Sequence, residues 1–85
     1  MTTVTIISTE ATPMGDMAEV ILDHRIEPAI GMILIDEDSF TWEVTATLHD
    51  ASRTTGDQSM KLWTLQCTPV NSELAIHPGV FKLMH

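Results

Sequence analysis

Eighty-five residues carrying twelve acids, four bases and a net charge of −8 make one acidic domain, with no room for a second core. An apolar share of 44% beside 19% charged residues excludes a disordered chain. One cysteine, Cys67, excludes an intrachain disulfide framework. The acids are concentrated early: eleven of the twelve, with two arginines, stand at or before Asp57, and only Lys61, Glu73 and Lys82 follow. Phosphate affinity comes mainly from Lys and Arg, so direct nucleic-acid binding is not expected. No basic region followed by an apolar run opens the chain, and no apolar stretch approaches the roughly 20 residues of a membrane span. The expectation is a soluble protein of a reducing compartment, cytoplasmic, without membrane contact.

In chain order, Val4-Thr5-Ile6-Ile7 is a short β-branched run that predicts a first strand, and Thr9 to Gly15, with Pro13 and Gly15, reads as a loop. Met17 to His24 fits two turns of helix capped by Asp16 or a strand; the alternation of Ala18, Val20 and Leu22 with Glu19 and Asp23 favours the strand. Glu27-Pro28-Ala29 breaks what precedes it. Ile30 to Ile35 is almost wholly apolar, as a strand buried on both faces would be. Asp36-Glu37-Asp38-Ser39 then links it as a hairpin, around a type I turn, to the clearest element of the chain. From Phe40 to Leu48 the side chains alternate without a miss: Phe40, Trp42, Val44, Ala46 and Leu48 share one face, and Thr41, Glu43, Thr45 and Thr47 the other. This period of two marks a half-buried strand.

Asp50 to Ser59 is a polar loop. Leu62 to Cys67 is a strand with Trp63, Leu65 and Cys67 on one face, and Pro69 to Ser72 turns the chain. A short extended or single-turn piece, Glu73 to Ile76, leads to His77-Pro78-Gly79, which suits a type II turn before a last strand, Val80 to Met84. Six strands with tight links predict an all-β fold, a single small closed or partly open barrel over residues 1–85. Phe40, Trp42, Trp63 and Phe81 are expected to anchor its core. Six methionines, with Met14, Met17, Met60 and Met84 at segment ends, suit adaptable interfaces as well as cores.

From Met17 to Met84 the chain resembles the small barrel that forms the second domain of translational GTPases. The resemblance rests on Ala18 to Ile26, Gly31-Met32-Ile33-Leu34, Trp42-Glu43-Val44, Trp63-Thr64-Leu65 and His77-Pro78-Gly79-Val80. Met32 stands where the family usually has Asp, and Asp23-His24-Arg25 replaces the glycines of its first strand. The GTPase barrel contacts RNA and ribosome. The resemblance implies a topology and carries no activity with it.

Chemistry-bearing motifs are few. Four histidines, at positions 24, 49, 77 and 85, include the Asp23-His24 and His49-Asp50 neighbours, but no pair has helix-face spacing and no Cys-x-x-Cys or His-Glu-x-x-His pattern exists. A His24/His49 metal site is the sharper reading, and exposed strand-end histidines the plainer one. Asp36, Glu37 and Asp38 lack the glycine and closing glutamate of a calcium loop. There is no Gly-x-Ser-x-Gly elbow, P-loop or dinucleotide fingerprint, and Cys67 has no base within four positions to activate it. No catalytic residue, metal or cofactor is assigned. The reading is a non-catalytic protein-binding or structural module that binds a protein partner or itself, most simply as a symmetric dimer, with Asp36, Glu37, Asp38 and Glu43 as the partner-binding residues. Two alternatives stand beside it. One is an acidic inhibitor that mimics nucleic acid toward a basic nucleic-acid-binding protein; the other is a small enzyme or ligand-binding barrel with its site between subunits.

Overall fold

The computed structural model describes residues 2–49, 56 and 58–84. Within them the apolar stretches form six strands and no helix: β1 (Thr2–Thr12), β2 (Gly15–Asp23), β3 (Ile33–Ile35), β4 (Thr41–His49), β5 (Met60–Pro69) and β6 (Gly79–Met84). The strands follow one another as β1-β2-β5-β4-β3-β6 and close into a barrel, every neighbouring pair antiparallel. The all-β class and the small six-stranded barrel are therefore the fold, in its closed form. Closure gives each strand a partner on both sides and removes the edges that an open sheet of this size would present.

The inward face of each strand supplies the core. Val4 and Ile6 come from β1, Ala18, Val20 and Leu22 from β2, Leu34 from β3, Trp42 and Val44 from β4, Trp63, Leu65 and Cys67 from β5, and Phe81 and Leu83 from β6. Trp42 and Phe81 meet edge-on, with ring centroids 5.5 Å apart. Trp63 is buried, whereas Phe40 is half-buried and packs on the outside of the cluster. The ambiguous stretch from Met17 lies in β2, because only a period of two puts Ala18, Val20 and Leu22 together on the buried side.

Several expectations are corrected. The first strand extends to Thr12, so the loop expected from Thr9 to Gly15 shrinks to Pro13-Met14, and Thr12 pairs with Gly15 across it. Polar residues on both faces hide this extension: Ser8 to Thr12 project where little apolar surface remains to be covered. The apolar run Ile30 to Ile35 is not buried on both faces. Only Ile33–Ile35 is strand, Ile30 is 69% exposed, Ile33 and Ile35 are half-buried, and Met32 and Leu34 alone point inward. His77-Pro78-Gly79 does not form a type II turn: Gly79 has a φ of 143°, well beyond the turn's value of about 80°, and pairs with Ile6 as the first residue of β6. Of the loop expected at Asp50 to Ser59, residues 50–55 and 57 lie outside the described residues.

The nine-residue alternation from Phe40 holds only as far as Val44. Val44 pairs with Cys67 and Ala46 with Gln66, which leaves Thr45 as an extra residue, a β-bulge. Past a bulge the inward positions move by one. Thr47 and His49 then lie opposite Leu65 and Trp63, and Leu48, expected inside, is 62% exposed. A second bulge at Ile7, between the pairs Ile6–Val20 and Ser8–Glu19, leaves Ile7 46% exposed.

Candidate functional site

One end of the barrel gathers the turn Pro13-Met14, the β3–β4 turn and the crossing from β5 to β6. We call this the upper end. The β3–β4 turn is built on Asp36, whose carbonyl accepts from the Ser39 N–H at 3.1 Å while its N–H donates to the Phe40 carbonyl at 3.1 Å. Ser39 has a φ of 68°, the left-handed residue that commonly completes a three-residue hairpin loop after a type I turn. The Asp36 side chain finishes the turn: Oδ1 accepts from the N–H groups of Asp38 and Phe40, each at 2.9 Å. Asp36 is buried, while Glu37 and Asp38 at the tip are exposed. Glu43, on the outer wall of β4 between Ile33 and Thr68, is exposed as well.

Residues 70–78 cross the same end as a strap. The Val70 N–H donates to the Thr41 carbonyl at 3.0 Å, and Asn71 bridges the turn, accepting from the Thr41 N–H and donating to the Ser39 carbonyl, both at 2.9 Å. Further on, the Trp42 indole N–H donates to the Leu74 carbonyl at 3.1 Å, and the Ile76 N–H donates to Asp16 Oδ2 at 3.0 Å. Ile76 is buried in the core. His77 closes the strap: Nε2 lies 3.2 Å from Asp36 Oδ2, Nδ1 lies 2.9 Å from the Pro78 carbonyl oxygen, and the ring leans on Trp42 and Phe81.

This pair shapes the electrostatics of the upper end. Burial pushes the Asp36 carboxyl up, but the hydrogen bonds from His77, Phe40 and Asp38 together outweigh it and hold the group below its ordinary value. The Pro78 carbonyl and then Asp36 hold the His77 proton on, above the ordinary histidine value, against a smaller opposing effect of burial. Both ring nitrogens face oxygen acceptors, so the imidazole has no free lone pair with which to act as a general base. The pair holds charge in place.

Sequence reasoning missed it. The neighbours Asp23-His24 and His49-Asp50 draw attention, whereas the two residues that meet are 41 positions apart and join only because the strap crosses the barrel. His24 and His49 sit toward the opposite end with different partners. His24 Nδ1 lies 3.1 Å from the Ser59 carbonyl oxygen, and the His49 ring stacks on Trp63 at 4.8 Å. Asp50 and His85 lie outside the described residues. Among the described residues no three of His, Cys, Asp or Glu converge as metal ligands. Cys67 is fully buried, and burial first, then the charge of Asp16, pushes its thiol up to about 12, which leaves almost no nucleophilic thiolate at neutral pH.

Exposed acids collect toward the upper end, with Glu10 near the end of β1, Glu37 and Asp38 on the turn, and Glu73 on the strap. Among the described residues the bases Arg25 and Lys61 lie toward the opposite end. Arg25, just past the end of β2, is held by Asp23 through Nε–Oδ1 at 3.0 Å and a terminal nitrogen to Oδ2 at 2.8 Å, and Lys61 lies beside Leu22 near the same end. Lys82, on the wall below the hairpin turn, pairs with Ile35 and Thr3. Beside it runs a groove of about 510 Å³ between Ile35, Glu37, Val80 and Lys82. No family model, no curated protein and no solved structure matches the chain.

Proposed function

We propose that this chain is a non-catalytic protein-binding module of the cytoplasm whose acidic upper end docks a basic protein partner, through Glu37 and Asp38 on a turn founded on Asp36 and through Glu43 on the adjoining wall of β4. The observation that carries this reading is the construction of the turn. Three hydrogen bonds to the Asp36 side chain hold the hairpin tip in one shape, so two exposed carboxylates are presented with little ordering cost on binding. Complementary charge speeds association and makes it salt-dependent. The chain's net charge of −8 disfavours anionic membranes and nucleic acid as direct ligands.

The test pairs capture with electrostatics. Partners retained from host extract by the unaltered chain are identified by mass spectrometry, and association of the purified partner is then timed with the triple variant Glu37→Gln, Asp38→Asn, Glu43→Gln. Slower association with an unchanged melting curve supports the proposal. Equal rates at low and physiological salt, where the Debye length falls from about 30 Å at 0.01 M to about 8 Å at 0.15 M, overturn it. If the partner is a nucleic-acid-binding protein that duplex or RNA displaces, the chain is the mimic. Micromolar binding of the chain itself to RNA would instead give weight to the contact that the GTPase-barrel resemblance implies.

Self-association is a second reading, favoured by the outward Ile33, Ile35 and Val80, the last 64% exposed. These lie on the adjacent strands β3 and β6, where a symmetric dimer would cover them. Sedimentation as a monodisperse monomer at high micromolar concentration removes it, and with it any ligand site shared between subunits.

A further inference from the structure

Just before β6 the strap carries a ring whose two nitrogens both face oxygens: Asp36 Oδ2 at 3.2 Å from Nε2 and the Pro78 carbonyl at 2.9 Å from Nδ1. A neutral imidazole has one N–H and one lone pair, so it would set a lone pair against one of these acceptors. The carbonyl only accepts. The Asp36 carboxyl would donate only if protonated, and its three hydrogen-bond donors favour the ionised form. Both contacts are satisfied together only when the ring is an imidazolium that donates twice.

We propose that His77 is a proton-operated latch: as imidazolium it fastens the strap over Trp42 and the buried Asp36, and on losing its proton it releases residues 74–77 while Asn71 still anchors the other end. The charges acting on the ring come from the hairpin turn, Asp36 and Asp38. β4 and β6 present Trp42 and Phe81, both uncharged. β2 contributes Asp16, which accepts the Ile76 N–H one residue before the ring. All three charged groups are acids, so they favour the protonated ring, in line with the raised His77 pKa. Without the His77 contacts the strap is held unevenly: Val70 and Asn71 make three hydrogen bonds to Thr41 and Ser39, whereas Leu74 to Ile76 are left with the Trp42 and Asp16 bonds, the local bond from the Leu74 N–H to Ser72 and the buried Ile76 side chain.

The sign follows from linkage. A histidine whose folded pKa is raised contributes in full below its ordinary value of about 6.5, and its contribution is lost as pH climbs through the raised value. Ionised Asp36 bounds the acid side, so the latch is tightest in mildly acidic solution and slackens toward alkaline pH. The inference stands on this geometry alone, whatever the acidic end binds.

Hydrogen exchange on the whole chain, expressed as protection relative to intrinsic rates from about pH 5.5 to about pH 8.5, tests it. The Trp42 indole N–H and the Ile76 amide should lose protection about tenfold for each unit by which the His77 pKa exceeds its value in the open strap. The midpoint should match that of the His77 ring protons, and the Val20 and Leu65 amides should not change. His77→Gln, which keeps one neutral donor, should abolish the pH dependence. Constant protection at Trp42 and Ile76, or a pH response that survives His77→Gln, overturns the proposal. Should that variant not fold, the His77 titration in the unaltered chain decides, since a midpoint at or below about 6.5 also overturns it.

Discussion

Trp42 and Leu74, 32 positions apart, are joined by a hydrogen bond from the indole N–H to the Leu74 carbonyl at 3.1 Å. The bond ties the most deeply buried aromatic ring of β4 to the strap outside, and it allows a polar atom to sit within the core. Trp42→Phe keeps a ring beside Phe81 but leaves that carbonyl without its donor. It should cost about 1–3 kcal/mol from the lost bond and the space left behind, and it should raise exchange at Ile76 more than at Val20. Trp42→Ala should cost about 3–5 kcal/mol, a large share of the roughly 5–15 kcal/mol that holds a domain folded. A denaturant melt of each variant measures both, and a curve barely moved by Trp42→Ala would refute the assigned packing.

The bulge at Thr45 makes a sharper comparison within one strand. Val44 is fully buried, and Leu48, which the alternation puts on the same face, is 62% exposed. Val44→Ala removes two methyl groups from the core and should cost about 1–3 kcal/mol. Leu48→Ala removes more carbon yet should stay within about 0.5 kcal/mol of the unaltered chain. Equal losses in urea would mean that the strand runs straight through Thr45.

The same strand shows what the sequence makes legible. Trp42 and Val44 announce their burial because apolar and polar positions alternate under one pleat, and the acidic run Asp36-Glu37-Asp38 after Ile35 marks a turn because no strand would bury it. The bulge is silent, since Thr45 is an ordinary strand residue and only the pairing with Cys67 and Gln66 reveals the extra position. The reach of β1 to Thr12 is silent too, since Ser8 to Thr12 lie where both faces are polar and no period appears. Asp36 reads as one surface acid among three, whereas it is buried against His77. Nothing in a linear chain says that residues 70–78 will fold back across residues 36–39.

Gly15 is the one glycine whose lack of a side chain the barrel requires twice over. Its φ is 118°, in the region that favours glycine, and a Cβ built there would lie 2.9 Å from the Cys67 carbonyl oxygen. That oxygen belongs to the backbone of β5 and has no rotamer to escape into. Gly15→Ala should therefore destabilise by about 1–3 kcal/mol, despite the stiffening of the unfolded chain that usually favours alanine. Gly31→Ala, with a φ of 96° but nothing within 4 Å of the added carbon, carries the backbone strain without the clash and should cost less. The order of the two midpoints in urea is the measurement, and a reversed order would show that β5 yields at Cys67.

Asp36 is expected to contribute to the acid limit of the fold. Its carboxyl is held below the ordinary value because the hydrogen bonds from His77, Phe40 and Asp38 exceed the opposing effect of burial. A carboxylate with a lowered folded pKa contributes stability that is present above its unfolded value, about 3.9, and is lost as pH falls through the folded value. Stability measured in urea should hold steady from about pH 6 to about pH 5 and then decline as the turn loses its charged acceptor. Asp36→Asn keeps one oxygen for the Asp38 and Phe40 N–H groups and turns the other contact into an amide facing a protonated ring. The variant should be less stable near neutrality and show a flatter decline in acid, with the two curves converging at the lowest pH. Parallel curves would mean that the acid limb belongs to other carboxylates, such as Asp23 with its Arg25 partner, and that Asp36 is a spectator in the turn.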